Sequence, residues 1–226
     1  MAEEEDLADA PRVVLVLSAL LDRVVERNDA AAAAVARAGA AAEEELVAAP
    51  PASASAFRAT TKPDISVRAY MARIARFAGC SPACYVVAYV YLDRLLRRGR
   101  GRALAVDSYS VHRLLITAVL AAVKFMDDVC YNNAYFARVG GISLPEMNYL
   151  EVDFLFGVGF DLNVSPETFG HYCAVLQSEM LWLELEASPA PLPLPPAAGG
   201  PRLHGCSLSE DDATCSSNST QQQLAA

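Results

Sequence analysis

Asp127 and Asp128 stand together at the end of a long apolar run, and paired carboxylates on helices are the groups that hold Mg²⁺ against a diphosphate. That chemistry usually calls for a third acid four residues after the first. Position 131 is Tyr, and no second acidic motif follows. Cys80 with Cys84, and His171 with Cys173, carry zinc-binding atoms, yet neither spacing supplies the four ligands of a structural site. Burial as small apolar residues is the plainer reading of these thiols. A G-x-S-x-G elbow, a phosphate-binding loop and H-E-x-x-H are absent from the sequence. The sequence therefore predicts no catalytic residue, no metal site and no cofactor.

Two other charges stand out because of their neighbours. Lys124 lies near the end of the run V-H-R-L-L-I-T-A-V-L-A-A-V-K-F-M, and Glu151 lies within Y-L-E-V-D-F-L-F. An unpaired charge in such surroundings is costly. Either the two meet each other and water at the domain surface, or they await hydrogen-bonding groups on a partner. The arginines 94, 97, 98, 100 and 102 could form a targeting signal or a nucleic-acid patch. The favoured reading is that they complement a helix C-terminus and continue into a solvated loop.

The run from Val111 to Met126 interrupts its apolar residues only with His112, Arg113, Thr117 and Lys124. It is apolar on nearly every face, which predicts a helix surrounded by other helices. Asp107, Ser108 and Ser110 offer N-cap oxygens, and Asp127-Asp128 close it. Its uninterrupted apolar stretch falls short of the ~20 residues of a membrane span. Around it, Ser66 caps a helix with Val67, Tyr70, Met71, Ile74 and Phe77 inward and Gly79 at its end. Ser81-Pro82 starts the next helix, which runs to about Arg98. Asn132-Asn133 opens a short one stopped by Gly140-Gly141. Ser143 to Glu146 has capping-box spacing and begins a helix with Leu144, Met147, Leu150, Phe154, Leu155 and Val158 on its buried side. A last helix runs from Ser165-Pro166 to about Glu186.

Outside this region, residues 1–10 form an acidic tail and residues 11–29 an amphipathic helix that packs on the compact part. Asn28-Asp29 ends its pattern. The Ala-rich run 30–42 can extend as helix by propensity but has no large residue with which to anchor itself. Residues 30–61 are thus an Ala-rich segment and linker, 62–187 the compact domain, and 188–226 a Pro-, Ser- and Gln-rich tail that cannot bury a core. No stretch has the alternation a sheet requires, so the fold class is all-α.

The 226 residues carry a net charge of −9, which argues against a general nucleic-acid binder. The six cysteines lack a C-x-x-C pair and the N-terminus is acidic. Free thiols in an intracellular setting are expected, with no membrane and no nucleic-acid partner.

Three ordered motifs carry a resemblance. Y-L-D-R-L-L (91–96), T-A-V-L-A-A-V-K-F-M-D-D (117–128) and Y-L-E-V-D-F-L-F-G-V-G-F-D-L (149–162) are similar to the cyclin box. S-V-H-R-L-L-I-T-A-V-L-A-A-V-K-F and G-G-I-S-L-P-E-M-N-Y-L-E resemble the P-type (U-type) cyclins of plants, which are similar in turn to the yeast phosphate-signalling cyclins. The resemblance implies a single five-helix cyclin box with flanking N- and C-terminal helices. It implies a regulatory subunit that binds and activates a cyclin-dependent protein kinase, A-type in a plant, in cell division or in nutrient signalling, in nucleus or cytoplasm. An adaptor that binds a transcription or signalling protein without activating a kinase is the alternative.

By position, Lys124 and Glu151 match the cyclin Lys/Glu pair that bonds the kinase, and Phe125, Asp127, Leu155, Phe160 and Leu162 match the surrounding contacts. Arg68 and Asp93 match a buried structural ion pair. The chain departs from mitotic cyclins in V-R-A-Y-M at 67–71, in Ile74 where those carry Trp, and in Arg113 at an apolar place. The first two departures mean that a hydrophobic substrate-docking patch is not expected. A second five-helix repeat is not evident, and without a destruction-box pattern in the N-terminal tail timed degradation is not expected either.

Overall fold

A computed structural model describes residues 10–40, 55–98, 104–128 and 132–187, without the side chains of 38–40 and 184–187. Every regular element among them is an α-helix: α1 (Arg12–Ala40), α2 (Val67–Ala78), α3 (Pro82–Arg98), α4 (Val111–Met126), α5 (Asn133–Gly140), α6 (Leu144–Gly157) and α7 (Pro166–Ala187). The expected acidic tail, apart from Ala10, the loop 99–103 and the tail from 188 lie outside the described residues.

α4 is the axis. From Val111 to Val123 every residue except Arg113 is buried, and α2, α3, α5 and α6 pack around it. A helix with no polar face is stable only when other helices take up its whole circumference. Its polar residues are satisfied locally. The Thr117 hydroxyl donates to the Arg113 carbonyl at 2.7 Å, and Arg113 Nε donates to Glu146 Oε1 at 2.7 Å. His112 sits edge-on to Tyr70 with ring centroids 4.8 Å apart. Its Nε2 lies 2.9 Å from the Ile65 carbonyl, so that nitrogen carries the proton.

The expected cap of α4 is built differently. Ser110 precedes the helix but bonds none of its N–H groups. Its hydroxyl instead accepts from the Asp107 N–H at 3.0 Å and donates to the Ala105 carbonyl at 2.5 Å, tightening the turn before the helix. Elsewhere the caps follow the sequence. Ser66, Asn132 and Ser143 each accept from the N–H three residues on, and Gly79 and Gly141 end α2 and α5 in left-handed conformation.

Two boundaries move. Asn28 and Asp29 do not end α1. Asn28 Nδ2 donates to the Val106 carbonyl at 2.8 Å, and Asp29 Oδ1 accepts from the Ser108 N–H at 3.2 Å. The helix then continues through the alanines to Ala40, with residues 30–37 exposed. Alanine's propensity carries it where no packing does. Packed structure also begins before residue 62. Phe57 is 2% exposed and meets Phe154 edge-on at 6.2 Å. Ala59 N–H donates to the Tyr109 carbonyl at 2.8 Å, and Arg58 pairs with Asp107.

α1 buries Val14, Val16, Leu17, Leu21 and Val25 against α2, α3 and α7. Arg23 meets Glu179 of α7 at 2.6 Å. The inner surface of α2, including Val67, Tyr70, Met71 and Ile74, is core, whereas Phe77, expected inside, is exposed.

Candidate partner-binding site

α4 leaves the core in its last turn. Val123 is 1% exposed, while Phe125 is 50% and Met126 44% exposed. Lys124 sits at that transition, and its Nζ lies 2.6 Å from Glu151 Oε1 on α6. The other Glu151 oxygen accepts from Asn133 Nδ2 at 2.6 Å, and the same amide also donates to Asn148 Oδ1 at 2.8 Å. In the chain by itself the two charges thus meet each other. Asn133, the first residue of α5, completes the group. Its own Oδ1 is buried and has no hydrogen-bond partner among the described residues.

The surroundings are apolar and exposed. Tyr149 (63%), Val152 (52%) and Phe156 (66%) are spaced three and four residues apart and so form a stripe along α6. Met147, Leu150 and Phe154 on the opposite side are fully buried. α6 therefore has an inner and an outer apolar face, and the sequence reading assigned only the inner one. Leu144, expected inside, is exposed, and Leu155 is half-buried. The signal for the outer face was present: a helix apolar all round either is wholly buried or meets something else.

The expected contact residues take different positions. Asp127 ends α4, with its N–H donating to the Val123 carbonyl at 3.0 Å. Its Oδ1 receives the Cys84 thiol at 3.5 Å. Phe160 is exposed, and its ring meets that of Phe156 edge-on at 5.1 Å. Leu162 is half-buried and packs on the core. Lys124 and Glu151 thus meet between α4 and α6, Phe125 and Asp127 follow Lys124 at the end of α4, and Leu155 lies one turn along from Glu151. Phe160 and Leu162 lie in the turn that follows α6.

That turn is held by α3. Arg94 donates to the carbonyls of Asp161 at 2.7 Å and Asn163 at 2.9 Å. Arg98 donates to the Val158 carbonyl and meets Asp161 Oδ2 at 3.0 Å. Tyr91 donates to the Leu162 carbonyl at 2.6 Å. Arg94 and Arg98 therefore serve a neighbouring segment rather than the end of their own helix. Arg97 pairs with Asp93 at 2.9 Å.

Arg68 and Asp93 are not an ion pair. Asp93 is taken by Arg97 and by the Tyr172 hydroxyl of α7. Burial, and then the hydrogen bond to Asp93, push the Tyr172 phenol up to about 12. Arg68 is exposed on α2. Burial raises the Asp22 carboxyl on α1, and the Arg68 charge opposes that rise. α1 and α7 lie against α3, and α7 supplies the partner that Arg68 was expected to provide.

Cys80, Cys84 and Cys173 are free thiols. Cys84 is fully buried, and the neighbouring Cys80 thiol, together with burial, holds its thiol above the usual range. Among the described residues, no group of three or more His, Cys, Asp or Glu is arranged to hold a metal ion. No helix among them is long and apolar enough to cross a membrane.

The arrangement is an axial helix wrapped by others, with a charged pair at its end and exposed apolar residues on α4 and α6. The sequence model of the cyclin family matches residues 11–162, and the chain belongs to that family. It is 62% identical to Cyclin-P4-1 of Oryza sativa subsp. japonica over 93% of this chain and 90% of the relative. It is 48% identical to Cyclin-U4-2 of Arabidopsis thaliana, over 79% of this chain and 76% of the relative. Cyclin-U4-1 of Arabidopsis thaliana is 46% identical over 81% and 84%. Family membership supports a regulatory role with a protein kinase as the general kind of partner.

Proposed function

We propose that this chain binds and activates a cyclin-dependent protein kinase, an A-type kinase of a plant, through the surface formed by the end of α4 and the outer face of α6. The observation that carries the reading is the Lys124–Glu151 pair at the end of α4, next in sequence to the exposed Phe125, with the stripe Tyr149–Val152–Phe156 exposed on another face of α6. Contiguous exposed apolar residues around a few polar groups mark a protein interface. Lys124 and Glu151 fix the orientation of the partner, and Phe125, Asp127, Leu155, Phe160 and Leu162 supply contacts around them. Activation is a population shift: the interface binds best the kinase conformation whose own catalytic Lys–Glu pair and activation loop are in place. The output is cell division or nutrient (phosphate) signalling, in the nucleus or the cytoplasm.

The test follows from magnitudes. Lys124 and Glu151 are partly exposed, and such pairs contribute about 0–1 kcal/mol to folding. A charge pair that bonds a partner costs about 2–5 kcal/mol of binding when one member is removed. Lys124→Ala and Glu151→Ala should therefore keep their circular-dichroism helicity and lose kinase binding roughly 30-fold or more. Helicity lost with binding would make the residues structural. A partner captured by wild type without phosphorylation of an added substrate would leave the adaptor as the better account.

A further inference from the structure

Phe160 is the one non-glycine residue with positive φ among the described residues, at 57°, and it follows Gly159 at 64°. Two successive left-handed residues are uncommon, and the second is a bulky aromatic for which that conformation is unfavourable. Its ring is 58% exposed, so the conformation yields no core packing in the isolated chain. Glycine at 159 suits its positive φ, and a Cβ there would move the end of the Arg98 side chain, whose Nη1 lies 2.5 Å from that position.

The bonds holding this turn come from one side. Tyr91, Arg94 and Arg98 are spaced three and four residues apart on α3 and therefore share a face. They donate to the carbonyls of Val158, Asp161, Leu162 and Asn163, which bracket Phe160. Asp161 bonds back to Arg98 at 3.0 Å and to Arg94 at 3.4 Å. Tyr91 is itself fully buried, so the clasp is rooted in the core. Inside the turn, the Phe160 N–H donates to the Leu155 carbonyl at 2.9 Å, and the Phe160 carbonyl accepts from the Leu162 N–H at 3.0 Å. The result is an exposed ring set edge-on to Phe156, at the end of the stripe that begins at Tyr149.

We propose that Tyr91, Arg94 and Arg98 are positioning residues that hold Phe160 and Phe156 as a preformed aromatic anchor for the bound kinase; this rests on the kinase-binding reading above. An aromatic on a mobile turn would lose backbone freedom on binding, whereas one on a clasped turn has lost that freedom already, and preorganised aromatic anchors concentrate interface energy. The bonds to the turn come from α3, so the anchor is built by α3 and not by α6 alone. If the clasp served only to end α6, the identity of residue 160 would not matter to binding.

Two measurements test this. In the free protein, nuclear Overhauser contacts between the Phe156 and Phe160 rings should be present in wild type. They should be absent in Arg94→Ala/Arg98→Ala with helicity retained; contacts that persist there overturn the clasp. In binding to a recombinant A-type plant cyclin-dependent kinase, Phe160→Ala should weaken affinity about tenfold or more. Arg94→Ala/Arg98→Ala should weaken it comparably, but add little in a Phe160→Ala background, because the arginines act through the ring. Equal losses in both backgrounds overturn the proposal. Should the arginine variant lose helicity, Phe160→Gly decides: removing ring and left-handed strain together must raise the melting temperature and weaken binding, and failure of either overturns it. If wild type binds no kinase, the functional reading fails, while the ring contacts still decide whether the clasp exists.

Discussion

Glu151 has both carboxylate oxygens engaged, one by Lys124 and one by Asn133, so the acid is oriented before any partner arrives. Lys124 and Glu151 were legible in the sequence because a charge amid apolar neighbours must find a reason to be there. Asn133 was not. At the start of α5 an Asn reads as a capping residue, and its role across to α6 is a tertiary contact that no local pattern announces. The Arg68–Asp93 pairing failed for the same reason, since the competitor for Asp93 is Tyr172 on a helix that ends the domain. His112 offers a test at this scale. Burial lowers its pKa below the ordinary 6.5. As pH falls through 6.5, the unfolded chain takes up the proton before the folded one does. Stability is thus full above that pH and declines below it. Urea midpoints at pH 7.5 and 5.5 should show this decline in wild type and a smaller one in His112→Gln.

At the scale of elements, periodicity placed α2 to α7 well and handled α1 less well. The pattern of large residues stops at Asn28, and beyond it propensity alone had to decide between helix and linker; the alanines continue the helix to Ala40 without a packing partner. Residues 55–61 escaped because an Ala- and Ser-rich approach masks a single anchoring aromatic, Phe57. Its contact with Phe154 ties that segment to α6. Phe57→Ala should cost about 3–5 kcal/mol of stability by chemical denaturation, as for a core aromatic. A loss under about 0.5 kcal/mol would restore the segment to a linker. The outer face of α6 was hidden by the assumption that an apolar residue in a compact domain points inward. Leu155 and Leu144 could be told from Leu150 only once the neighbours of α6 were known.

The molecule as a whole was legible because α4 admits few solutions. A helix without a polar face must be enclosed, and amphipathic helices on both sides of it in sequence are the material to do so. What the pattern did not carry was closure: α1 lies against α7, with Arg23 on Glu179 and Leu176 buried nearby. Contacts of such sequence separation form late, because a long loop must close first. Leu176→Ala should accordingly speed unfolding and leave the refolding rate almost unchanged in stopped-flow experiments. A refolding rate that falls as much as stability does would place α7 in the folding nucleus.

The same closure orders events during synthesis. Of the described helices α1 leaves the ribosome first, yet α7, against which it finishes packing, leaves last. At ~5–20 residues per second, α1 waits roughly 10–30 seconds for α7. During that interval the side of α1 that α7 will cover is open, and the nascent chain carries an apolar helix face for chaperones to hold. Premature release before α7 would leave a box that has its axis but not its seal.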